Sequence, residues 1–173
     1  MSGGGWIITC VTLFLLLIFG KKGFAGVNTV SDTKVLTLND IIEYNAKQYS
    51  VPIPLIKAII ENESSWEVYA RNPDDPSYGL MGIMPIVAQE YGIVKNWKSV
   101  TQAEIDSIYV PQNNIGCGSK LLGKLLGKYP MDQVIHMYNV GEHAYKDHGA
   151  RNTGYFNKVI DSYHKYLSEE TNA

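Results

Sequence analysis

The sequence contains few of the residues from which disulfides and metal sites are made. Its 173 residues include two cysteines and four histidines, and neither a Cys-x-x-Cys nor a His-x-x-x-His spacing occurs. These counts exclude a zinc cage of the usual kind and a disulfide-based fold, and they predict no metal and no cofactor. Cys10 lies in an apolar N-terminal run, so we expect Cys117 to be a buried, small apolar side chain.

An excess of one charge is also missing. Fifteen Lys and Arg residues face seventeen Asp and Glu residues, which gives a net charge of -2. No basic field of the kind that binds nucleic acid is present, so nucleic acid is not predicted as a partner. The twelve Tyr, three Trp and four Phe residues predict either a well-packed core or a groove that stacks on flat ligands such as sugar rings.

Apolar and polar residues do not alternate, as they would in a β-strand, over more than a few residues. Sequence signals of helix starts and of apolar helix faces instead follow one another along the chain. Thr37 with Asp40, and Thr101 with Glu104, have the spacing of a capping box at a helix start. Four glycines within 111–129 each cost about 1 kcal/mol of helix propensity, which predicts close helix contacts there. We therefore predict an all-α domain with at most a short hairpin or irregular loop at 68–78.

The apolar spacing of a last helix predicts one buried face made of Phe156, Val159, Ile160, Tyr163 and Leu167.

The N-terminal segment 1–25 indicates export. Trp6 to Phe19 are uncharged and mostly apolar, a run shorter than the roughly twenty residues of a membrane span. Gly23-Phe24-Ala25 forms a small-x-small cleavage pattern, but no Lys or Arg precedes the apolar run and two lysines follow it. A cleaved signal peptide and a retained short anchor both stay open. A polar connector at 26–36, a domain at 37–168 and a tail at 169–173 complete the predicted organisation.

One glutamate in the stretch from Glu61 to Pro85 is placed differently from its neighbours. Glu63 follows Ile59 by four residues and Ile60 by three, so on a continuing helix it shares their buried side. Lost hydration should raise the pKa of its carboxyl, as a general acid for a glycosidic oxygen requires. On spacing alone, a glutamate that caps the helix or forms a local salt bridge stays an alternative.

Four motifs around Glu63 resemble a known family, the lytic transglycosylases of the soluble-transglycosylase type, which share the goose-type lysozyme fold. Glu63-Ser64-Ser65-Trp66 resembles their E-S-x-aromatic motif, and Gly79 to Pro85 resembles their G-L-M-Q-I-M-P turn. Asn114-Ile115 with Gly118 is similar to N-I-x-x-G, and Tyr138 to Gly141 is similar to Y-N-A-G. Thr153 and Tyr155 are similar to the closing T-x-x-Y-V region, with Tyr155 one position early. The resemblance runs from about residue 40 to residue 167 and implies a mainly α, lysozyme-like domain.

The resemblance also implies residue roles. Glu63 would be the single catalytic acid and base, and the substrate-binding residues would be Ser64, Gly79, Met84, Tyr138 and Asn139. This chain departs from the family at Gly82, where the family has Gln. For the family's serine this chain offers two candidates: Asn72, which lies nearer the expected position, and Ser77, which comes later.

The implied activity is that of a peptidoglycan lytic transglycosylase, which cleaves the MurNAc–GlcNAc β-1,4 bond and forms 1,6-anhydro-MurNAc. Two alternatives stay open: a goose-type hydrolase using Asp74 or Asp75, and a non-catalytic, anchored peptidoglycan-binding protein. The predicted partners are peptidoglycan glycan strands and, through segment 1–25, a membrane. The setting would be periplasmic, membrane-anchored or virion-associated, and a secretion, conjugation or phage-entry apparatus would be a further partner.

Overall fold

The computed structural model describes residues 35–73 and 75–172. The predicted signal or anchor segment and most of the polar connector lie outside the described residues, as does Asp74. Within the described ranges, no helix combines the length and the apolar character needed to cross a membrane.

Eight helices make up the secondary structure of residues 35–73 and 75–172. In chain order they are α1 (Leu38–Tyr49), α2 (Ile53–Ser64), α3 (Pro85–Glu90), α4 (Gln102–Tyr109), α5 (Pro111–Leu126), α6 (Met131–Val140), α7 (Glu142–His148) and α8 (Thr153–Thr171). The loop between α2 and α3 holds two isolated antiparallel bridges, Arg71 with Tyr78 and Tyr78 with Ile83. The prediction of an all-α domain with a short irregular loop at 68–78 is confirmed.

Both predicted capping boxes are present at helix starts. The Thr37 hydroxyl accepts from the backbone N–H of Asp40, whose carboxylate accepts from the backbone N–H of Thr37. Thr101 and Glu104 make the same reciprocal pair at α4. Each pair satisfies two of the N–H groups that a helix start leaves without an intrahelical acceptor, so local sequence alone defines where α1 and α4 begin.

The core forms where α2 packs along α8 and α1 packs along α5. Leu55, Ile56, Ile59 and Ile60 of α2 are fully buried, which places the end of α2 deep within the domain. Cys117 is 3% exposed, as predicted for a buried apolar residue.

Two of the four glycines of segment 111–129 lie at close contacts with other parts of the chain. A Cβ at Gly118 would lie 2.5 Å from Met81 Sδ, and one at Gly123 would lie 2.5 Å from the Tyr49 carbonyl oxygen. A Cβ at Gly116 would lie 3.6 Å from Asn45 Oδ1, and one at Gly127 would lie 3.5 Å from the Gly123 carbonyl oxygen, which are ordinary contact distances. The expected close helix contact is therefore confirmed at Gly123, next to the end of α1, whereas Gly118 contacts the loop between α2 and α3.

The structure corrects the predicted face of the last helix. Tyr166 is 8% exposed and belongs to the buried side, whereas Leu167 is 38% exposed. The Trp66 indole N–H donates to the Tyr166 hydroxyl at 3.1 Å, which holds that ring against the end of α2.

Helix α8 also continues to Thr171, so part of the predicted tail is helical. Helix α7 was not predicted, because it is short and has no buried residue.

Candidate active site

Glu63 lies in the last turn of α2, where the buried helix reaches a cleft. The helix ends one residue later because Ser65 and Trp66 adopt positive φ angles of 49° and 69°. Left-handed backbone is uncommon for residues other than glycine, and here it turns the chain away directly after the carboxylate. Glu63 therefore stands half-buried on a rigid helix whose preceding turns are locked in the core.

The Glu63 carboxyl is bonded to a tyrosine from the other end of the domain. The Tyr155 hydroxyl, in the first turn of α8, donates to Glu63 Oε1 at 2.6 Å. Burial raises the pKa of Glu63 from its ordinary 4.5 to about 7, while the bond from Tyr155 lowers it and the negative charge of Asp75 raises it. Burial prevails over the hydrogen bond, so about half of the Glu63 carboxyls carry a proton at pH 7.

The hydrogen bond also distinguishes the two carboxyl oxygens. Because Tyr155 donates to Oε1, the proton of the neutral acid belongs on Oε2. Oε2 lies against Gly82, whose φ is +58°, and a Cβ at Gly82 would collide with it. Gly82 is therefore needed both for its backbone conformation and for the space that the acid occupies.

The Gly79–Gly82 turn is held in place from beneath by Asn114 of α5. The fully buried Asn114 side chain accepts from the Met81 N–H at 2.7 Å and donates to the Tyr78 carbonyl at 2.8 Å. Its amide also donates to the Ile108 carbonyl at 3.1 Å. Gly79 has a φ of +76°, and a Cβ there would collide with the Asn114 amide. Asn114 of the N-I-x-x-G motif thereby supports a turn that lies 33 to 36 residues earlier in the chain.

Two cavities of about 300 Å³ and 120 Å³ have Glu63 in their walls. Both are lined by Glu63, Asn72, Ser77, Gly82 and Asn139. The larger cavity adds polar groups, among them Asn62, Arg71 and Tyr155. The smaller one adds the apolar side chains of Met84, Val87 and Leu121. Together they form a cleft with Glu63 in the shared wall, Arg71 in the larger cavity and Asp75 in the smaller one.

Four of the five predicted substrate-binding residues line this cleft. Gly79 lines the larger cavity, Met84 and Tyr138 line the smaller one, and Asn139 lines both. The Tyr138 hydroxyl donates to the Met81 carbonyl at 2.8 Å, so it also supports the turn beside Glu63. The predicted roles of these residues in substrate binding stay predictions.

Ser64 is the predicted site residue that the structure places elsewhere. Its side chain is buried, donates to the Ile60 carbonyl at 2.9 Å and accepts from the Trp66 N–H at 3.1 Å. It borders neither cavity. This geometry supports a structural role, namely holding the left-handed helix end that exposes Glu63.

Tyr155, Asn62 and Arg71 line the site but were not predicted as site residues. For Tyr155 a signal existed, since the T-x-x-Y-V resemblance pointed to it, although one position early. Asn72 and Ser77, the two candidates for the position of the family's serine, both line the cleft. Their backbones are paired, with the Asn72 N–H donating to the Ser77 carbonyl at 3.3 Å.

Comparison with known proteins agrees with this arrangement. The family described as "Transglycosylase SLT domain" matches residues 40–160, which is more than half of the chain and includes Glu63, the Gly79–Gly82 turn and Tyr155. The chain belongs to this transglycosylase SLT domain family.

A curated relative of this SLT domain is the membrane-bound lytic murein transglycosylase E of Buchnera aphidicola subsp. Acyrthosiphon pisum (strain APS). It is 35% identical over 109 residues, which cover 63% of this chain and 48% of the relative. The chain thus matches about half the length of that relative.

Two solved structures share the helical, lysozyme-like fold of this SLT domain. The soluble lytic transglycosylase SLT70 of Escherichia coli is 21% identical, with a TM-score of 0.51, and the match covers 72% of this chain and 21% of that one. An inactive Glu-to-Gln mutant of the lytic transglycosylase Slt of Pseudomonas aeruginosa is 20% identical, with a TM-score of 0.51 and coverage of 73% and 21%.

Proposed function

We propose that this protein is a peptidoglycan lytic transglycosylase that cleaves the MurNAc–GlcNAc β-1,4 bond and leaves a 1,6-anhydro-MurNAc end. The observation that carries the proposal is the Glu63 carboxyl, half-buried at the centre of a cleft, with a pKa raised to about 7 by burial. Family membership and the names of the relatives support the same activity.

In the first step the neutral Glu63 acts as the general acid. Its proton, on Oε2, passes to the glycosidic oxygen as the bond to C1 breaks, while Tyr155 holds Oε1 and fixes the plane of the carboxyl. Positive charge develops at C1, and the N-acetyl group of MurNAc would stabilise it, as in substrate-assisted glycosidases.

In the second step the ionised Glu63 acts as the base. The carboxylate accepts the proton of the C6 hydroxyl, whose oxygen attacks C1 and closes the anhydro ring. The hydrogen bond from Tyr155 favours the charged carboxylate at this stage, because a donor is worth more to an anion than to a neutral acid. One residue thereby serves as acid and then as base, and no water is consumed.

The rival activity is hydrolysis, in which a second carboxylate activates water. Asp75 lines the smaller cavity, and its charge raises the pKa of Glu63. However, the Asn72 side-chain amide donates to Asp75 Oδ2 at 3.1 Å, and the Asp75 carbonyl accepts from the Ser77 N–H at 2.9 Å. These bonds are those of a structured turn, and they favour a positioning role for Asp75 over the activation of water.

The proposed setting is the bacterial cell wall, with the domain on the periplasmic side of a membrane. The membrane-bound character stated for the Buchnera relative supports this, as does the apolar run within 1–25. Retention of that segment as an anchor, and service to a secretion, conjugation or phage-entry apparatus, are finer proposals that membrane fractionation and co-purification would test.

The proposed activity is tested by digesting purified peptidoglycan and identifying the new glycan ends by mass spectrometry. We expect 1,6-anhydro ends, each lighter by one water than the corresponding reducing end. Reducing ends would instead identify a hydrolase, and an absence of new ends at saturating protein would identify a binding protein without activity.

A further inference from the structure

Arg71 lines the cleft, and its positive charge has no role in the proposed chemistry. Among the described residues lining the two cavities it is the only positively charged side chain. It is exposed, and its guanidinium forms no ion pair with any residue of 35–73 or 75–172. Its guanidinium lies over the ring of Tyr78, with 5.8 Å between the guanidinium carbon and the ring centroid.

The base of this side chain is rigidly placed although its tip is exposed. Arg71 pairs with the 7% exposed Tyr78 in an antiparallel bridge. The bonds from the Gly79 N–H to the Ala70 carbonyl at 2.8 Å and from the Asn72 N–H to the Ser77 carbonyl at 3.3 Å flank that bridge. Because the backbone of Arg71 is held by these hydrogen bonds, its side chain loses less conformational entropy on binding an anion than a side chain on a mobile loop would.

The ring that Arg71 contacts, Tyr78, belongs to a cluster of three tyrosines. Tyr109 packs edge-on against Tyr78 with centroids 5.7 Å apart and against Tyr69 with centroids 5.4 Å apart. Tyr69 is 78% exposed. The contact with the buried Tyr78 ring orients the planar guanidinium, and a planar guanidinium can bind a carboxylate through two N–H groups.

Charge differs between the two ends of the cleft. Arg71 lines the larger cavity, whereas Asp75 lines the smaller one beside Met84 and Val87. An anionic substituent is therefore attracted at the Arg71 end and repelled at the Asp75 end. This asymmetry selects one direction for a glycan strand that carries carboxylates on only one of its two sugars.

Building on the lytic transglycosylase function proposed above, we propose that Arg71 binds a carboxylate carried by the muramic acid residue and thereby sets the direction in which the strand lies. The carboxylate has two chemical sources. It is the lactyl carboxylate in a strand without peptides, and a carboxylate of the peptide in a strand that retains them. Arg71 is then a specificity residue, and it takes no part in proton transfer.

The test measures binding by calorimetry in a Glu63→Gln background, in which we expect no cleavage of the ligand. Three ligands are compared: a neutral chito-oligosaccharide, a glycan strand freed of peptides and a strand bearing them. Arg71→Met keeps the length and apolar contact of the side chain but removes its charge. We expect about tenfold weaker binding of an anionic strand, equivalent to about 1.4 kcal/mol, and unchanged binding of the chito-oligosaccharide.

The pattern across the anionic ligands identifies the source of the carboxylate. A loss with the peptide-free strand supports the lactyl group, and a loss confined to the peptide-bearing strand supports the peptide. Equal losses for neutral and anionic ligands, or no loss for either anionic strand, would overturn the proposal and leave Arg71 as a packing residue.

The matched control is Arg151→Met in the same background. Arg151 is the other arginine of the chain; it is exposed, lies over the Tyr145 ring and lines neither cavity. We expect the Arg151→Met variant to bind all three ligands as tightly as the Glu63→Gln protein does. A loss of affinity for the anionic strands equal to that of Arg71→Met would contradict a specific site at Arg71. Because binding is measured without cleavage, failure of the transglycosylase proposal would show separately, as an absence of anhydro ends from the wild-type protein.

Discussion

Replacing Glu63 by Gln should abolish cleavage and also change how stability depends on pH. The substitution keeps the shape of the side chain and an oxygen that can accept from Tyr155, but it removes the exchangeable proton. A second effect follows from burial. The carboxyl has a pKa of about 7 in the folded protein and about 4.5 when unperturbed, so the fold disfavours its ionised form.

The sign of the second effect follows from linkage. The folded state holds the Glu63 proton more tightly than the unfolded chain, so the contribution of this group to stability is complete below pH 4.5. It is lost as the pH rises toward 7. Since one pKa unit corresponds to about 1.4 kcal/mol, the loss approaches about 3 kcal/mol above pH 7. Glutamine does not ionise, so the variant does not incur this loss.

Urea unfolding of both proteins from pH 4 to pH 9 measures the difference directly. We expect similar free energies of unfolding in acid, with the Glu63→Gln protein becoming more stable by about 3 kcal/mol above pH 7. Parallel curves would refute the claim that Glu63 is a buried acid with a raised pKa, whatever the variant does to activity.

Glu61→Gln is a matched control with the opposite sign. A hydrogen bond from Lys165, 3.0 Å from Nζ to Glu61 Oε1, is the main cause that lowers the pKa of Glu61. That contribution is present at neutral pH and lost in acid, so Glu61→Gln should be less stable than the wild type near neutrality. Its cleavage activity should change far less than that of Glu63→Gln.

Three further predictions concern the surroundings of Glu63 and the N-terminal segment. Tyr155→Phe removes a bond that lowers the pKa of Glu63, so the decline of kcat/KM at high pH should move to higher pH; an unchanged pH profile would contradict this role. Gly82→Gln should lower the free energy of unfolding by more than the roughly 1 kcal/mol of a positive-φ substitution, because its Cβ also meets Glu63. Gly92→Gln, with a φ of +77° and open space around it, isolates the backbone effect, and equal losses in the two variants would show that the contact with Glu63 is unimportant. A protein beginning at Gly26 should stay soluble, folded and active on purified peptidoglycan, and aggregation of that protein would show that segment 1–25 belongs to the core.

Local signals in the sequence predict much of this fold. The capping boxes at Thr37 and Thr101 act over three residues and are found as predicted. The burial side of Glu63 follows from its spacing to Ile59 and Ile60, again within a single helix. Helix α7 has no buried face, so no apolar period could have revealed it.

Features that depend on long-range contacts were harder to predict. The bond between Tyr155 and Glu63 joins residues 92 positions apart, and only the family resemblance pointed toward it. The structural role of Ser64 is local, but it depends on the positive φ of Ser65 and Trp66, which their residue types do not indicate. The sequence shows only that Gly82 replaces the family's Gln, whereas the structure gives two reasons for a glycine, a positive φ and the close approach of Glu63.

The most direct test of the central claim is peptidoglycan cleavage in water enriched in a heavy oxygen isotope. If Glu63 passes its proton to the leaving oxygen and then takes one from the C6 hydroxyl, no water enters the product. Mass spectrometry should then find 1,6-anhydro ends without the heavy isotope, and Glu63→Gln should give no new ends. Heavy oxygen at C1 of newly formed reducing ends would contradict the account and identify a hydrolase.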